Sequence, residues 1–442
     1  MRTMAESIGV ARTAQAPQAF KGGELAFLYL PLFTVALGYG AVLPILPTLL
    51  QRLHGGANDP ALALHAGLLT GIYIGSFVIG APLWGRLVDR YAPRPVLLIG
   101  LLGYAAATVW FGFADSLASA YASRFVAGSF AAGLLPATAA FVVARCRQAD
   151  RARHLGWVSA ATVLGFLVGP ALAGFVHDIA GEPSASGAST LHLTAVPIWM
   201  TGVIALASVF GVAWGMGAHP SRHSRSATAA TAAPRGAARA PLSILLLSCL
   251  AAFGLGAFEV GLSLQSQRTW AWSASDLAWL FAVCSLVMLA IQFALFAPLR
   301  RLIKPERLVI GGFVVMAVGF ALLATSSAYA VVFALVALIA LGSGVLLPTL
   351  SVATADQAGA AVGTAIGYQN AAGNLGQAAG SAAAGLLFNG APVAPFAVVA
   401  ALMLIAAIIG WRLVRLRGQW LVPKVESSTG AASSGDMKHG GT

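Results

Sequence analysis

The sequence predicts an all-α membrane protein of twelve transmembrane helices, arranged as two pseudo-symmetric bundles of six. Three observations carry this expectation. Of 442 residues, 58% are hydrophobic and only 9% are charged, against about 25% charged in an ordinary soluble domain. The apolar residues come in runs close to the ~20 that a helix needs to cross a ~30 Å hydrocarbon core. The two halves of the chain also repeat one another at a nearly constant offset.

In order, the runs place spans at 28–50, 66–84, 95–114, 119–143, 157–176, 196–217, 242–264, 277–298, 308–327, 329–350, 362–388 and 392–411. In lipid a helix satisfies its own backbone hydrogen bonds, so a string of such runs implies a helical bundle. Residues 1–23 form a polar N-terminal tail and lack the basic start and short apolar core of a secretory signal. A first bundle over 24–217 is followed by the longest polar interruption, 218–241, whose Ala, Ser, Arg and Pro content predicts a flexible linker. A second bundle over 242–415 precedes a tail, 416–442, of disordered composition.

The internal repeat is read from three matches. LGYGAVLPILPTLLQR (37–52) aligns with FGLGAFEVGLSLQSQR (253–268) at an offset of 216, sharing G-x-G-A and Q-R. The tripeptide APL recurs at the same offset (81–83 and 297–299), and the glycines of GFLVGPALAG (165–174) recur in GQAAGSAAAG (376–385) at 211. Three matches in order imply a duplicated six-helix unit.

The net charge of +12 is a matter of topology rather than of a nucleic-acid partner. With the N-terminus inside, only Arg52 and Arg268 fall outside and Arg124 within a span, leaving 23 of the 26 basic residues on the cytoplasmic side. By the positive-inside rule both termini are cytoplasmic, beside anionic lipid headgroups. The three cysteines, Cys146, Cys249 and Cys284, have neither disulfide nor metal-ligand spacing. None of the four lysines sits in a phosphate-binding G-K-[ST] context, and GYG (38–40) and GSG (342–344) lie within spans, not at strand-to-helix turns. No nucleotide, metal or other cofactor and no enzymatic activity are expected.

Chemistry-bearing residues are few. In the loop after the second span, GRLVDRYAPRPVLL (85–98), Asp89 stands among Arg90 and Arg94 at a helix end, a charge cluster suited to locking and releasing packed helices. Span four carries Arg124 and Gly128 in RFVAG. Span five carries Gly165, Gly169, Pro170 and Gly174, small residues that let helices approach. These three patterns resemble major facilitator transporters. Gly85, Leu87, Asp89, Arg90 and Arg94 match the G-x-L-x-D-R-x-G-R-R loop, with Ala92 and Pro93 departing from it. GFLVGPALAG resembles the motif associated with antiporters, and DRARHLGW (150–157) is similar to a segment of the tetracycline/proton antiporters and their multidrug relatives. The resemblance covers about 28–415. It implies two six-helix halves rocking about a central cavity, with Gly85, Asp89, Arg90 and Arg94 gating the movement. It departs where tetracycline exporters carry an Asp in the first span, here Val35, and where an Asp commonly ends span four, here Ala144.

Glu259 is the acid placed deep within a span. A carboxylate there is costly when ionised and unpaired, so it is the candidate proton carrier, with a structural hydrogen bond as the bland alternative. Arg124 is either its counter-charge, a partner in proton release, or structural. In span eleven Asn370, Asn374 and Gln377 follow i, i+4, i+7 and share a face. Together with Gln369 they form a polar stripe expected to face the cavity or another helix. Tyr39, Tyr73, Gln265 and Gln292 are further cavity candidates. The expectation is therefore a monomeric bacterial inner-membrane exporter that exchanges a small organic molecule, a drug, siderophore or other secreted metabolite, for protons. The alternatives are an uptake symporter, a lipid flippase or a transporter-like receptor.

Overall fold

Prolines and glycines decide how these helices meet. The computed structural model describes residues 22–54, 61–145, 148–180, 195–215, 241–357 and 362–417. Residues 1–21, 216–240 and 418–442, which hold nearly all of the tails and the linker, and Cys146 lie outside the described residues, as does the side chain of Asp89. The first half contains α1 (Gly22–His54), α2 (Ala61–Arg90), α3 (Pro93–Gly112), α4 (Leu117–Ala131), α5 (Leu134–Arg145), α6 (Gln148–Ala180) and α7 (Val196–Gly215). The second half contains α8 (Leu242–Arg268), α9 (Ala274–Ala290), a π-helical segment (Ile291–Leu295), α10 (Phe296–Leu302), α11 (Pro305–Leu323), α12 (Tyr329–Gln357), α13 (Val362–Gly390) and α14 (Ala394–Arg417). No strand occurs among the described residues.

Taking α4 with α5, and α9 with the π segment and α10, these helices make twelve spans. Eleven are long and apolar enough to cross a membrane. The exception is α13, 29 residues long, which falls short in apolarity because it carries the amide stripe. Large apolar side chains such as Trp214, Leu242 and Ile179 stand on the outside of the bundle, an arrangement suited to lipid and not to water.

The fourth span is broken at Ala132–Gly133, where Trp84 of α2 intrudes. Its indole N–H donates to the Ser129 carbonyl at 2.7 Å, and its ring occupies the space where Gly133 would carry a Cβ. A side chain inserted against a helix ladder is a sufficient cause for such a break.

The predicted repeat is legible in the contacts themselves. In the first half, Gly165 and Gly169 of α6 bring that helix so close to α1 that a Cβ would strike the carbonyl oxygens of Phe33 and Leu37. In the second half, Gly376 and Gly380 of α13 stand the same way against the carbonyls of Cys249 and Phe253 on α8. Adding 216 to the first two carbonyl positions and 211 to the first two glycines gives the second set. The third glycine of each series reaches into the opposite half. A Cβ on Gly174 would meet Ala278 of α9 at 2.8 Å, and one on Gly385 would strike the Ala63 carbonyl of α2. With lipid on the outside there is no hydrophobic drive to pair helices, and close packing of small residues takes its place.

We call the end at which α1 begins and α14 finishes, and which carries the 85–94 loop, the basic end, and the opposite end the far end. The contacts between halves described here lie from the middle towards the far end. Pro47 has no N–H and so frees the Leu43 carbonyl, which accepts from the Ser263 hydroxyl of α8 at 2.7 Å. Nearby, the Gln267 amide donates to the Pro44 carbonyl at 2.9 Å. Towards the basic end α2 has Ala81, Pro82 and Leu83 exposed in succession, and α13 has Gly367, Tyr368 and Asn370 exposed. The bundle is closed at the far end and open at the basic end.

The glycine contacts make a prediction of opposite signs. Gly380→Ala should destabilise the protein by roughly 1–3 kcal/mol, because its methyl has no room against the Phe253 carbonyl. Gly311→Ala, where nothing lies within 4 Å of the added carbon, should stabilise α11 by up to about 1 kcal/mol through helix propensity. Thermal unfolding of the two variants in detergent tests this, and equal shifts would refute it.

Candidate functional site

Glu259 stands mid-helix on α8, about one turn after Gly256. Gly256 matters here because its missing side chain admits the Gln377 backbone of α13, which brings the Gln377 amide to the carboxyl. Gln377 Nε2 lies 3.1 Å from Glu259 Oε2 and 3.4 Å from Oε1. From the other half, the Tyr39 hydroxyl of α1 donates to Oε2 at 2.5 Å, and Gln377 Nε2 also approaches Tyr39 Oη at 3.4 Å. One carboxyl thus ties α8 and α13 to α1, across the junction of the two halves.

An aromatic stack leads away from this point into the first half. Tyr39 lies against Tyr73 of α2 with centroids 5.7 Å apart and rings inclined 24°, while Phe166 of α6 meets Tyr39 edge-on at 5.5 Å. Arg124 covers the other part of the stack, its Cζ 4.0 Å from the Tyr73 centroid and 5.2 Å from that of Phe111. The guanidinium is 5% exposed and its Nε has no hydrogen-bond partner. Its close neighbours are these aromatic rings, and among the described residues no carboxylate ion-pairs with it. Arg124 is therefore not ion-paired with Glu259. It is held by the negative faces of aromatic rings, and Tyr73 and Tyr39 lie between it and Glu259.

The amide stripe of α13 divides. Gln377 reaches the carboxyl, Asn374 is half-buried and Asn370 is exposed. Gln369 turns into its own half, where its Nε2 donates to the hydroxyls of Ser248 at 3.2 Å and Ser351 at 3.4 Å. Gln265 is buried with Oε1 unpartnered, and Gln292 lies in the π segment, a kind of helix irregularity frequent at functional sites.

At the basic end, Arg94 of the charged loop donates to the Ala213 carbonyl of α7. It caps carbonyls that the last turn of a helix leaves unpaired. Gly85 borders open space and Arg90 is exposed. In α6 the ring of Pro170 rests on Gly40, whose added Cβ would lie 2.8 Å from the proline Cδ, so the glycine–proline motif forms the α1–α6 contact. The adjoining His154 accepts or donates with the Tyr29 hydroxyl at 2.6 Å, fastening the same helix pair nearer the basic end.

Nothing in the sequence singles out Phe111, Phe166, Ser248 or Ser351, since phenylalanines and serines are scattered through every span. Only the position of Phe166 between two motif glycines hinted at a special neighbour.

A sequence model of the Major Facilitator Superfamily matches residues 28–265 and again 244–435. The chain belongs to the major facilitator superfamily. It is thus a multi-pass membrane protein of a family of transporters, and the two matches overlap within α8. It is 26% identical over 362 residues to Multidrug resistance protein 2 of Bacillus subtilis (strain 168), covering 81% of this chain and 87% of the relative. It is 35% identical over 145 residues to the class B tetracycline resistance protein of Escherichia coli, but that match spans 33% of this chain and 35% of the other. Among solved structures, a bacterial homologue of the human lysosomal transporter Spinster superposes with a TM-score of 0.71 at 14% identity, covering 90% and 97% of the two chains. It shares the fold.

A buried cation without a counter-ion is a burden on stability. Replacing it in this major facilitator transporter by a methionine of similar length, Arg124→Met, should raise the unfolding temperature by an amount corresponding to roughly 1 kcal/mol or more, while transport is lost. Thermal unfolding alongside a vesicle transport assay tests this, and a marked fall in stability would instead make the arginine a structural element.

Proposed function

We propose that this transporter exports a small amphiphilic organic molecule, a drug-like compound or a secreted metabolite, in exchange for protons. It does so in a bacterial inner membrane with its basic end, and hence both termini, in the cytoplasm. The observation that carries this reading is the placement of Glu259, a carboxyl within the bundle whose hydrogen bonds join the two halves. An acid in that position exchanges its proton with whichever side of the membrane the cavity faces, and its charge bears on how the halves fit together.

The orientation rests on the distribution of Lys and Arg. With the basic end inside, the described state is open to the cytoplasm. In that state Glu259 releases its proton and the cavity takes up its substrate. The half-buried ring of Phe166, with amides at Asn370, Asn374 and Gln377, suits a ring-bearing molecule that also makes hydrogen bonds, while Tyr39 and Tyr73, sequence candidates for the cavity, are buried behind it. Rocking of the halves then exposes the cavity to the far side, where the substrate leaves and Glu259 is protonated again. Arg124 supplies a fixed positive charge to the first half, and Gln265, Gln292 and Gln369 line or brace the second. The export direction is supported by the similarity of the glycine–proline motif to antiporters and by the resistance proteins among the relatives. Val35, in place of the first-span Asp of tetracycline exporters, argues against tetracycline itself.

In everted membrane vesicles energised to an acid interior, adding a transported compound should release protons, and Glu259→Gln should abolish that release while leaving membrane insertion intact. Uptake in whole cells, with no proton release for any compound of a drug panel, would replace export by symport. For the charged loop, Asp89→Asn should slow turnover several-fold with substrate affinity nearly unchanged. A collapse of affinity in that variant, measured by equilibrium binding, would remove Asp89 from gating.

A further inference from the structure

We infer that Tyr39 is a latch that reads the charge of Glu259 across the two halves and holds the deprotonated, empty transporter open at the basic end. This deepens the proton-coupling role proposed above and rests on it. The Tyr39–Glu259 hydrogen bond, at 2.5 Å, is the point at which the proton carrier on α8 touches the opposite half. The second partner, Gln377, belongs to the same half as Glu259 and would travel with it. Of the two bonds that Glu259 makes, the tyrosine's is the one that must change when the halves rock.

The bond also changes strength with the proton. A phenol donating to a carboxylate makes a charge-assisted bond about twice as strong as one to a neutral carboxyl. The other groups facing Glu259 do not compensate for this loss. From α1 it is Tyr39, with Tyr73 of α2 stacked behind. From α9 it is the thiol of Cys284, and from α13 it is Gln377. Among the described residues no basic side chain hydrogen-bonds or ion-pairs with Glu259. Tyr39 cannot follow a displaced carboxyl by changing rotamer, because Tyr73 stacks on one side of its ring and Phe166 meets it edge-on.

The sign follows directly. Above the pH at which Glu259 deprotonates, the latch is fastened and the far end stays closed. As pH falls and the carboxyl is protonated, the latch weakens and the far-end-open state gains population. A substrate frees the latch in the other way, by giving the carboxylate a replacement hydrogen bond or charge. An empty, deprotonated transporter therefore has no easy route across, which is the condition for exchanging substrate and protons without leak.

The test places spin labels at Asp115→Cys and Thr269→Cys, exposed residues at the far ends of the two halves. The background has the three native cysteines replaced, in lipid nanodiscs without substrate. Electron–electron distances should lengthen on acidification, with the ratio of open to closed changing about tenfold, as expected for losing the charged part of one hydrogen bond. Tyr39→Phe should flatten this pH dependence and, in proteoliposomes without substrate, leak protons at least several-fold faster than wild type. Gln377→Leu, cutting the bond within one half, should shift the midpoint but keep the response. Tyr39→Phe with a wild-type pH response, or a wild type with none, would overturn the latch, as would a Tyr39→Phe variant as proton-tight as wild type. A pH-dependent distance in wild type combined with no substrate-driven proton release would keep the latch and sink antiport instead.

Discussion

Close backbone approach at two rows of glycine is the constraint on which the rest of this structure depends. A helix in lipid gains nothing from hiding apolar surface against another helix, since the tails around it are as apolar as leucine. What holds α1 to α6 and α8 to α13 is contact at Gly165 and Gly169 in one half and Gly376 and Gly380 in the other. Because each pair is one close-packed slab, Gly174 and Gly385 can each carry a contact into the opposite half without loosening their own. These two crossings, with the α1–α8 bonds made by Ser263 and Gln267, close the far end. Proline takes part in the same arrangement, since the carbonyl that Pro47 strips of its partner is the one that Ser263 claims.

The two charges within the membrane are accommodated by different physics, and the difference gives them different work. Glu259 has its hydrogen-bonding capacity met by Tyr39 and Gln377, so its environment is set by neutral donors and it can change charge without stranding a counter-ion. Arg124 keeps its proton under any physiological condition and is stabilised by ring faces instead of a carboxylate. A direct Arg124–Glu259 pair would have frozen both charges in place. Separating them by the Tyr39–Tyr73 stack leaves Glu259 without a fixed counter-charge, as the role proposed for it requires, while the fixed charge stays in one half.

Much of this was legible in the sequence, and the reason differs from residue to residue. The glycine repeat could be read because packing against a carbonyl tolerates no other side chain, so spacing alone records the contact. Glu259 could be read because an acid in an apolar run has no inconspicuous place to be. The amide stripe was legible as a stripe but not in its partners. Asn370, Asn374 and Gln377 share a face by helical period, yet Asn370 is exposed while Asn374 and Gln377 are half-buried, and only Gln377 reaches the carboxyl. Gln369, one position away, serves its own half through Ser248 and Ser351. The break in the fourth span at Ala132–Gly133 was not legible at all, because its cause, Trp84, is about fifty residues away.

The repeat is symmetric in packing and asymmetric in chemistry, and the functional site occupies the asymmetry. At the common offset of 216, Tyr39 corresponds to Leu255 and Leu43 to Glu259. Each half therefore carries one member of the latch where its counterpart carries a leucine. A symmetric pair of acids would repel at the junction, and a symmetric pair of tyrosines would have no charge to read. A donor on one copy and an acceptor on the other lets a single proton alter the fit between two otherwise equivalent slabs. The glycine rows meanwhile keep each slab intact as that fit changes.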